Sequence, residues 1–371
     1  MTHFGPSVVE ELLSFIDTEL PLHREEFGDR RDFAAARAWQ RRLDRGRWVG
    51  LDWPTEHGGR DLDLGTQVAC ENAISNCGAP QIAGFIGVNT VASAIMQWGT
   101  ATQKQLLPAI RSADSIFCQG FSEPGAGSDL ASLRTRATAT TAGFLLAGQK
   151  VWTSHGGEAD QCLVLARTTA PESGGRSHRG LSMLLVPLDL PGITVAPIRQ
   201  LNGDREFSEL FFDDVALPKT ALLGPLDDGW RAAMAALAHE RAASMMLAMR
   251  TRALVRNTFC GSELEVPSSR RDDVMQLYVQ SEVLGLLAER SVAEIGAGTV
   301  GPAQSVVKLA WSQVDQKFAE LVFDLNGSAA PAGTAPEATE ALLFSRSSTI
   351  AAGSTEVMRN ILGEQVLGLP R

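Results

Sequence analysis

Apolar residues in the first third of the chain recur at helical spacing. Val9, Leu12, Leu13 and Ile16 fall on one face of a helix predicted over Val8 to Leu20. A second run, Asp32 to Arg47, mixes alanines, Trp39 and Leu43 with many arginines. Those arginines are expected to form a solvated face, because charged side chains are seldom buried. Trp53-Pro-Thr-Glu-His-Gly-Gly59 reads as a turn cluster, and helical spacing resumes over Ala83 to Trp98 and Thr102 to Ile110. From Ala113 to about Leu222 the texture changes to short β-rich runs: Ser115-Ile-Phe-Cys118, Gln161 to Ala166, Leu181 to Val186 and Glu209 to Phe212. Gly-Gly, Pro-Gly and Asn-Gly separate them, which predicts an all-β sandwich or barrel. After Gly229 the long period returns in amphipathic runs at Trp230 to Thr258, Asp272 to Ile295, Ala303 to Leu325, Glu337 to Ser347 and Glu356 to Leu367. Long helices joined by short loops predict an antiparallel bundle.

The expected class is therefore α+β and mostly helical. An N-terminal helical domain would span 1–112, a middle β domain 113–222 and a C-terminal bundle of four or five helices 223–371. A chain of 371 residues is long enough for two or three such domains. No window reaches the roughly 18 uninterrupted apolar residues of a membrane span. The start Met1-Thr-His-Phe-Gly-Pro6 lacks the basic and apolar regions of a secretory signal, so the expected location is cytoplasmic. The five cysteines are scattered without metal-ligand spacing, and no metal site is expected. A formal net charge of -10 argues against nonspecific nucleic-acid binding. An anionic ligand would have to be met by a few local arginines.

The stretch Ser122-Glu-Pro-Gly-Ala-Gly-Ser-Asp-Leu130 has the glycines of a phosphate loop. It fails both familiar patterns. A dinucleotide fingerprint from Gly125 needs glycine at 130, where Leu stands, and no Gly-Lys-Ser/Thr lies nearby. The adjoining segment Ser132 to Thr141 alternates like a strand, so the glycine loop joins strands.

Four motifs in order carry a resemblance to a known family. They are Trp53-Pro-Thr-Glu-His-Gly-Gly-Arg60, Gln119-Gly-Phe-Ser-Glu-Pro-Gly-Ala-Gly-Ser-Asp129, Gly148-Gln-Lys-Val-Trp-Thr-Ser154 and Ala352-Gly-Ser-Thr-Glu356. Over nearly its whole length the chain resembles the acyl-CoA dehydrogenase family, flavoproteins with this three-part architecture. The resemblance implies FAD, an acyl-CoA substrate and an electron-accepting flavoprotein. It implies that Gln119, Phe121, Ser122, Ser128, Trp152, Thr153, Ser154, Ser354 and Glu356 contribute to cofactor binding, with Trp152 covering a flavin edge and Ser154 near N5. Ser128, Arg241 and the Ala352 backbone would serve the substrate thioester.

The family's usual base, a Glu just before the Gly-Thr of the tail motif, is Ala352 in this chain. Some members carry the catalytic Glu on the first long helix of the bundle, immediately before an arginine, and Leu237-Ala-His-Glu-Arg241 matches that place. On a helix Glu240 shares its face with Ala233, Ala236, Leu237, Ser244 and Leu247, a stripe suited to desolvating a carboxylate. Local pairing of Glu240 with Arg241 or Arg250 is the alternative. Arg256-Asn-Thr-Phe-Cys-Gly261 resembles the motif that reaches a neighbouring subunit's FAD but comes early relative to Glu240. Asp324-Leu-Asn-Gly-Ser328 puts an acid where the family has a Gln and glycines. This combination is similar to actinobacterial members that work as heterotetramers on bulky, steroid-like thioesters. A homotetramer, a cofactor-sharing or non-catalytic subunit, and another flavin reaction in a natural-product pathway are the other expectations.

Overall fold

The structure is a computed structural model describing residues 6–28, 30, 32–170, 178–261, 264–297 and 303–370. The side chains of 6, 7, 237–243 and 303 lie outside that description. The chain forms two compact units. One comprises Met1–Ile16, Leu62–Ala79 and Glu240–Arg371; the other comprises Asp17–Asp61 and Pro80–His239.

In the unit holding the strands, helix α1 (Pro6–Phe27) contributes its second half and α2 (Phe33–Arg45) comes next. Asp32 starts α2 as an N-cap, its carboxylate accepting from the Ala35 amide. Trp39 and Leu43 are buried as the spacing predicts. Of the arginines expected on a solvated face, Arg41, Arg45 and Arg47 are exposed, whereas Arg37 and Arg42 are partly covered. Arg42 donates to Glu19 at 2.8 Å and Glu26 at 3.0 Å with a mostly covered side chain, and Arg37 donates to the Ala113 carbonyl at 2.8 Å. A long guanidinium can bury its stem while its head finds a carboxylate or carbonyl, which residue-type burial statistics do not register. Shorter helical pieces come after it: a π-helical turn Gly87–Val91 running into α4 (Ala92–Trp98), α5 (Ala101–Lys104) and α6 (Leu107–Arg111).

Among the described residues eight strands then make one hydrogen-bonded sheet. In chain order they are β1 (Phe117–Gly120), β2 (Arg136–Ala139), β3 (Gly143–Ser154), β4 (Gln161–Arg167), β5 (Leu181–Pro187), β6 (Ile193–Pro197), β7 (Phe207–Pro218) and β8 (Leu222–Leu223). The order across the sheet is β6-β7-β3-β2-β4-β5-β8, with β1 parallel to β4. Central β4 and β5 are apolar on both faces and buried on both, whereas β7 alternates. The core includes Leu146, Val164, Leu184, Val186, Leu210 and Phe212. The glycine loop does join two strands, β1 and β2.

The second unit is helical: the first half of α1, α3 (Leu64–Asn76), the latter part of α7 (Gly229–Cys260), α8 (Arg271–Gly296), α9 (Ala303–Leu325), α10 (Pro336–Ser345) and α11 (Thr355–Ile361). Its core is built on Met245, Val255, Leu277, Leu284, Val307 and Val314. Helix α3 has almost no apolar stripe, and its legible signal is the cap: Asp63 accepts from the Thr66 amide and hydroxyl. No helix among the described residues is long and apolar enough to cross a membrane.

His23 on α1 is 1% exposed, with neither ring nitrogen partnered, and its ring lies 5.0 Å from Phe27 and 5.4 Å from Trp39. Burial, helped by the charge of Arg42, holds its pKa below the ordinary 6.5. As pH falls through that ordinary value the unfolded chain takes up a proton that the folded chain resists, so stability is lost on acidification. Chemical denaturation at about pH 7.5 and about pH 5.5 should show a drop that is smaller in His23→Phe.

Candidate functional site

Strand β3 and the β1–β2 loop meet through a buried charge. Lys150 has no exposed surface, and its Nζ donates to the Phe121 carbonyl at 2.9 Å and to Glu123 Oε1 at 2.9 Å. Glu123 also accepts from the backbone amides of Arg134 at 2.6 Å and Thr135 at 2.8 Å. Burial alone would raise the Glu123 pKa; the Lys150 charge and these hydrogen bonds outweigh it and leave the carboxyl below its usual range. Desolvation in turn pulls Lys150 below an ordinary lysine, opposed by Glu123. The pair is an ion pair because each half would be intolerable without the other. Around it, the Val151 amide donates to the Ser122 carbonyl at 3.0 Å, and Glu123 and Ala126 exchange two backbone hydrogen bonds at 3.0 Å. Neither Glu123 nor Lys150 was expected at the site. Both lie inside the motifs that carry the family resemblance.

The loop held this way is open on its other side. Alpha carbons of Gly125 and Gly127 border space with no atom within 4 Å of where a Cβ would stand. Ser128 is exposed, Ser122 half-buried, Phe121 buried and Gln119 sits on β1 opposite Leu163.

Further along β3, the register against β7 shifts between Lys150 and Thr153. Trp152 at this bulge has a left-handed φ of 60° and is 60% exposed, its ring edge-on to Phe207 at 6.1 Å. A bulky residue in that conformation, presenting an indole to solvent, is strained and placed for contact. Ser154 is half-buried, and its hydroxyl has no partner among the described residues. Thr153 pairs with Ser208 of β7 and is fully buried, its hydroxyl without a hydrogen-bond partner among the described residues. Next to Ser154, His155 Nε2 lies 3.9 Å from Glu206, whose pKa is pushed up by burial against the pull of His155.

In the helical unit, Ala352 is exposed with φ 53° and Gly353 comes next at φ 99°. A Cβ on Gly353 would come within 2.5 Å of Met358 Cε. Ser354 caps α11, accepting from the Val357 amide at 3.3 Å, and Glu356 in the first turn is exposed. The preceding segment is held by buried groups on α9. Lys308 donates to the Ser348 carbonyl at 2.9 Å, and the Ser348 hydroxyl donates to Asp315 at 2.6 Å. On α7, Ala233, Ala236 and Ser244 are buried, the row on which Glu240 falls by helical spacing. The side chains of Glu240 and Arg241 themselves lie outside the described residues.

Two further positions are engaged within the same unit. Arg256 makes a two-pronged ion pair with Glu282 at 2.5 and 2.6 Å, and with Arg252 it drives the Glu282 pKa down to about 2. Asp324 pairs with Arg270. Among the described residues no cluster of His, Cys, Asp and Glu could hold a metal.

Comparison with known proteins decides the family. Models of the N-terminal, middle and C-terminal domains of acyl-CoA dehydrogenases match residues 7–114, 118–215 and 227–367. Acyl-CoA dehydrogenase IpdE1 of Mycobacterium tuberculosis is 39% identical over 348 residues, covering 91% of this chain and 89% of the relative. The chain belongs to the acyl-CoA dehydrogenase family. Its fold is also that of solved acyl-CoA dehydrogenases. The Tcur3481-Tcur3483 steroid enzyme matches with a TM-score of 0.86 at 26% identity over the whole of both chains. The ChsE4-ChsE5 complex from Mycobacterium tuberculosis matches at 0.80 and 29% identity over 98% of this chain and 97% of that one. The family is one of oxidoreductases that in general depend on flavin.

The left-handed Ala352 gives a direct check on the tail. A non-glycine residue there costs about 1–2 kcal/mol, and glycine loses about 0.5–1 kcal/mol through the unfolded state. Ala352→Gly should therefore stabilise the protein by about 0.5–1 kcal/mol in chemical denaturation, and Ala352→Val should destabilise it.

Proposed function

We propose that this protein catalyses α,β-dehydrogenation of an acyl-CoA thioester with FAD, and that Glu240 removes the α-proton. The observation that carries the reading is the exchange of residues within one motif set. The tail position that usually holds the base is Ala352, while α7 carries Glu-Arg on a row whose neighbouring positions are buried. Burial of Ala233, Ala236 and Ser244 supports an apolar setting for that face of the helix, and a desolvated carboxylate makes a better general base at neutral pH.

The residues of the loop and bulge fit the cofactor. Glycines bordering open space, the unengaged hydroxyls of Ser122 and Ser154 and the exposed Trp152 offer small donors and an aromatic face. FAD, when bound, supplies the acceptor for the β-hydride. Ser154 and Ser122 would then donate hydrogen bonds where negative charge develops, and Trp152 would screen one edge from water. The Ala352 amide would donate to the thioester oxygen, increasing the acidity of the α-proton that Glu240 takes. Ser128 and Arg241 would meet the coenzyme A portion, and a separate flavoprotein would accept the electrons.

For the acyl group we favour a bulky, steroid-like chain, in line with the steroid enzyme among the structural neighbours. The assembly we favour is a heterotetramer with a second subunit of the family, because two neighbours are named as pairs and because Arg256 and Asp324 are consumed by Glu282 and Arg270. Helix α8 also presents Met275, Val279, Val283 and Leu286, each at least half exposed, on one face. A stripe of that kind is expected to be covered by another subunit. The three domains would run 1–112, 113–222 and 223–371.

Two experiments test these statements. Glu240→Gln should retain FAD but bleach its visible absorption with substrate about 100-fold or more slowly than the parent; undiminished bleaching removes Glu240 from the chemistry. Val283→Asp should lower the mass seen in light scattering, alone or with a second subunit of the family, and an unchanged mass would exclude this face from the assembly.

A further inference from the structure

The Phe121-Ser122 turn has both of its carbonyls occupied on one side. Lys150 Nζ takes the Phe121 oxygen and the Val151 amide takes the Ser122 oxygen. What the turn has left for a ligand is donors, the Ser122 hydroxyl and amide. That polarity has a cause. A buried carbonyl without a partner is costly, so without Lys150 the Phe121 peptide would gain by turning its oxygen outward, where an electron-rich ring edge would be repelled. Lys150 can stay charged there only because Glu123 lies 2.9 Å away, and Glu123 is fixed by the amides of Arg134 and Thr135 at the far end of the same loop. One ion pair thus ties residue 121, residue 123 and residues 134–135 to strand β3.

We propose that Lys150, through Glu123 and the Phe121 carbonyl, is a positioning residue for FAD: it sets the glycine loop before the cofactor arrives, with its donors facing the flavin. This rests on the flavin reading of the same loop and deepens it. Preorganisation matters because a loop ordered only on binding subtracts its ordering cost from affinity. Removing both charges together separates positioning from stability, since a buried ion pair replaced by neutral groups of similar volume is often tolerated, while one missing partner is not.

The test uses the full chain, with a second subunit of the family if that is needed for FAD uptake. Lys150→Met combined with Glu123→Gln should leave the melting temperature of the FAD-free protein near the parent value. Its FAD dissociation constant should rise about tenfold or more, and the visible absorption bands of what FAD it binds should shift toward those of free flavin. Parent-like affinity and parent-like bands in the folded double variant would overturn the proposal. A second arm needs no substitution. In the FAD-free parent, amide hydrogen exchange at Arg134, Thr135 and Val151 should be protected as strongly as in β4, and fast exchange there would overturn the proposal even if the double variant fails to fold. If the parent binds no FAD at all, the flavin reading fails while the exchange arm still judges the clamp.

Discussion

A fully buried ammonium must be answered by a carboxylate and by hydrogen-bond acceptors, and at Lys150 that requirement shapes the whole glycine loop. Glu123 supplies the charge and the Phe121 carbonyl the second acceptor. Because Glu123 is itself saturated by two amides from the loop's end, the loop cannot slide without exposing an unpaired charge to the core. The glycines are then free to remain side-chain-less over open space, and the Trp152 bulge two residues after Lys150 projects an aromatic face from the same strand. The buried charge of Lys150 and the left-handed, exposed Trp152 stand two residues apart on one strand.

The helical unit repeats the device around its tail. Lys308 and Asp315 on α9 hold Ser348 by its carbonyl and its hydroxyl, and burial raises the Asp315 pKa against that hydrogen bond. Four residues beyond Ser348 stands the left-handed Ala352, whose amide our reading assigns to the thioester. In both units a buried lysine takes a backbone carbonyl oxygen, Lys150 that of Phe121 and Lys308 that of Ser348. Backbone donors gain catalytic value when they are preorganised, so an anchored strained segment is consistent with the chemistry proposed.

Much of this was readable along the chain, and the misses share a reason. The long helices announced themselves because α1, α7, α8 and α9 repeat apolar residues at a period set by their own geometry. Runs such as Gln161 to Ala166 and Leu181 to Val186 did so because central strands are apolar on both faces. Strand β3 carries Gly148, Gln149 and Lys150 in its middle and was not separable from a loop by pattern. Its lysine is explained only by Glu123, 27 residues earlier, and a single sequence carries no trace of that contact. Arg42 was misread in the same way, since Glu19 and Glu26 sit on a different helix. Motif resemblance, rather than periodicity, drew attention to the glycine loop, Trp152 and Ala352.

The central claim is that Glu240 takes a proton from the carbon next to a thioester. Incubating the FAD-loaded protein in deuterated water with a steroid-side-chain acyl-CoA blocked at its β carbon, and following the α-hydrogens by NMR, measures that step without the redox chemistry. The account predicts deuterium entering the α position with the parent and not with Glu240→Gln. Exchange that continues at the parent rate in the variant would contradict it.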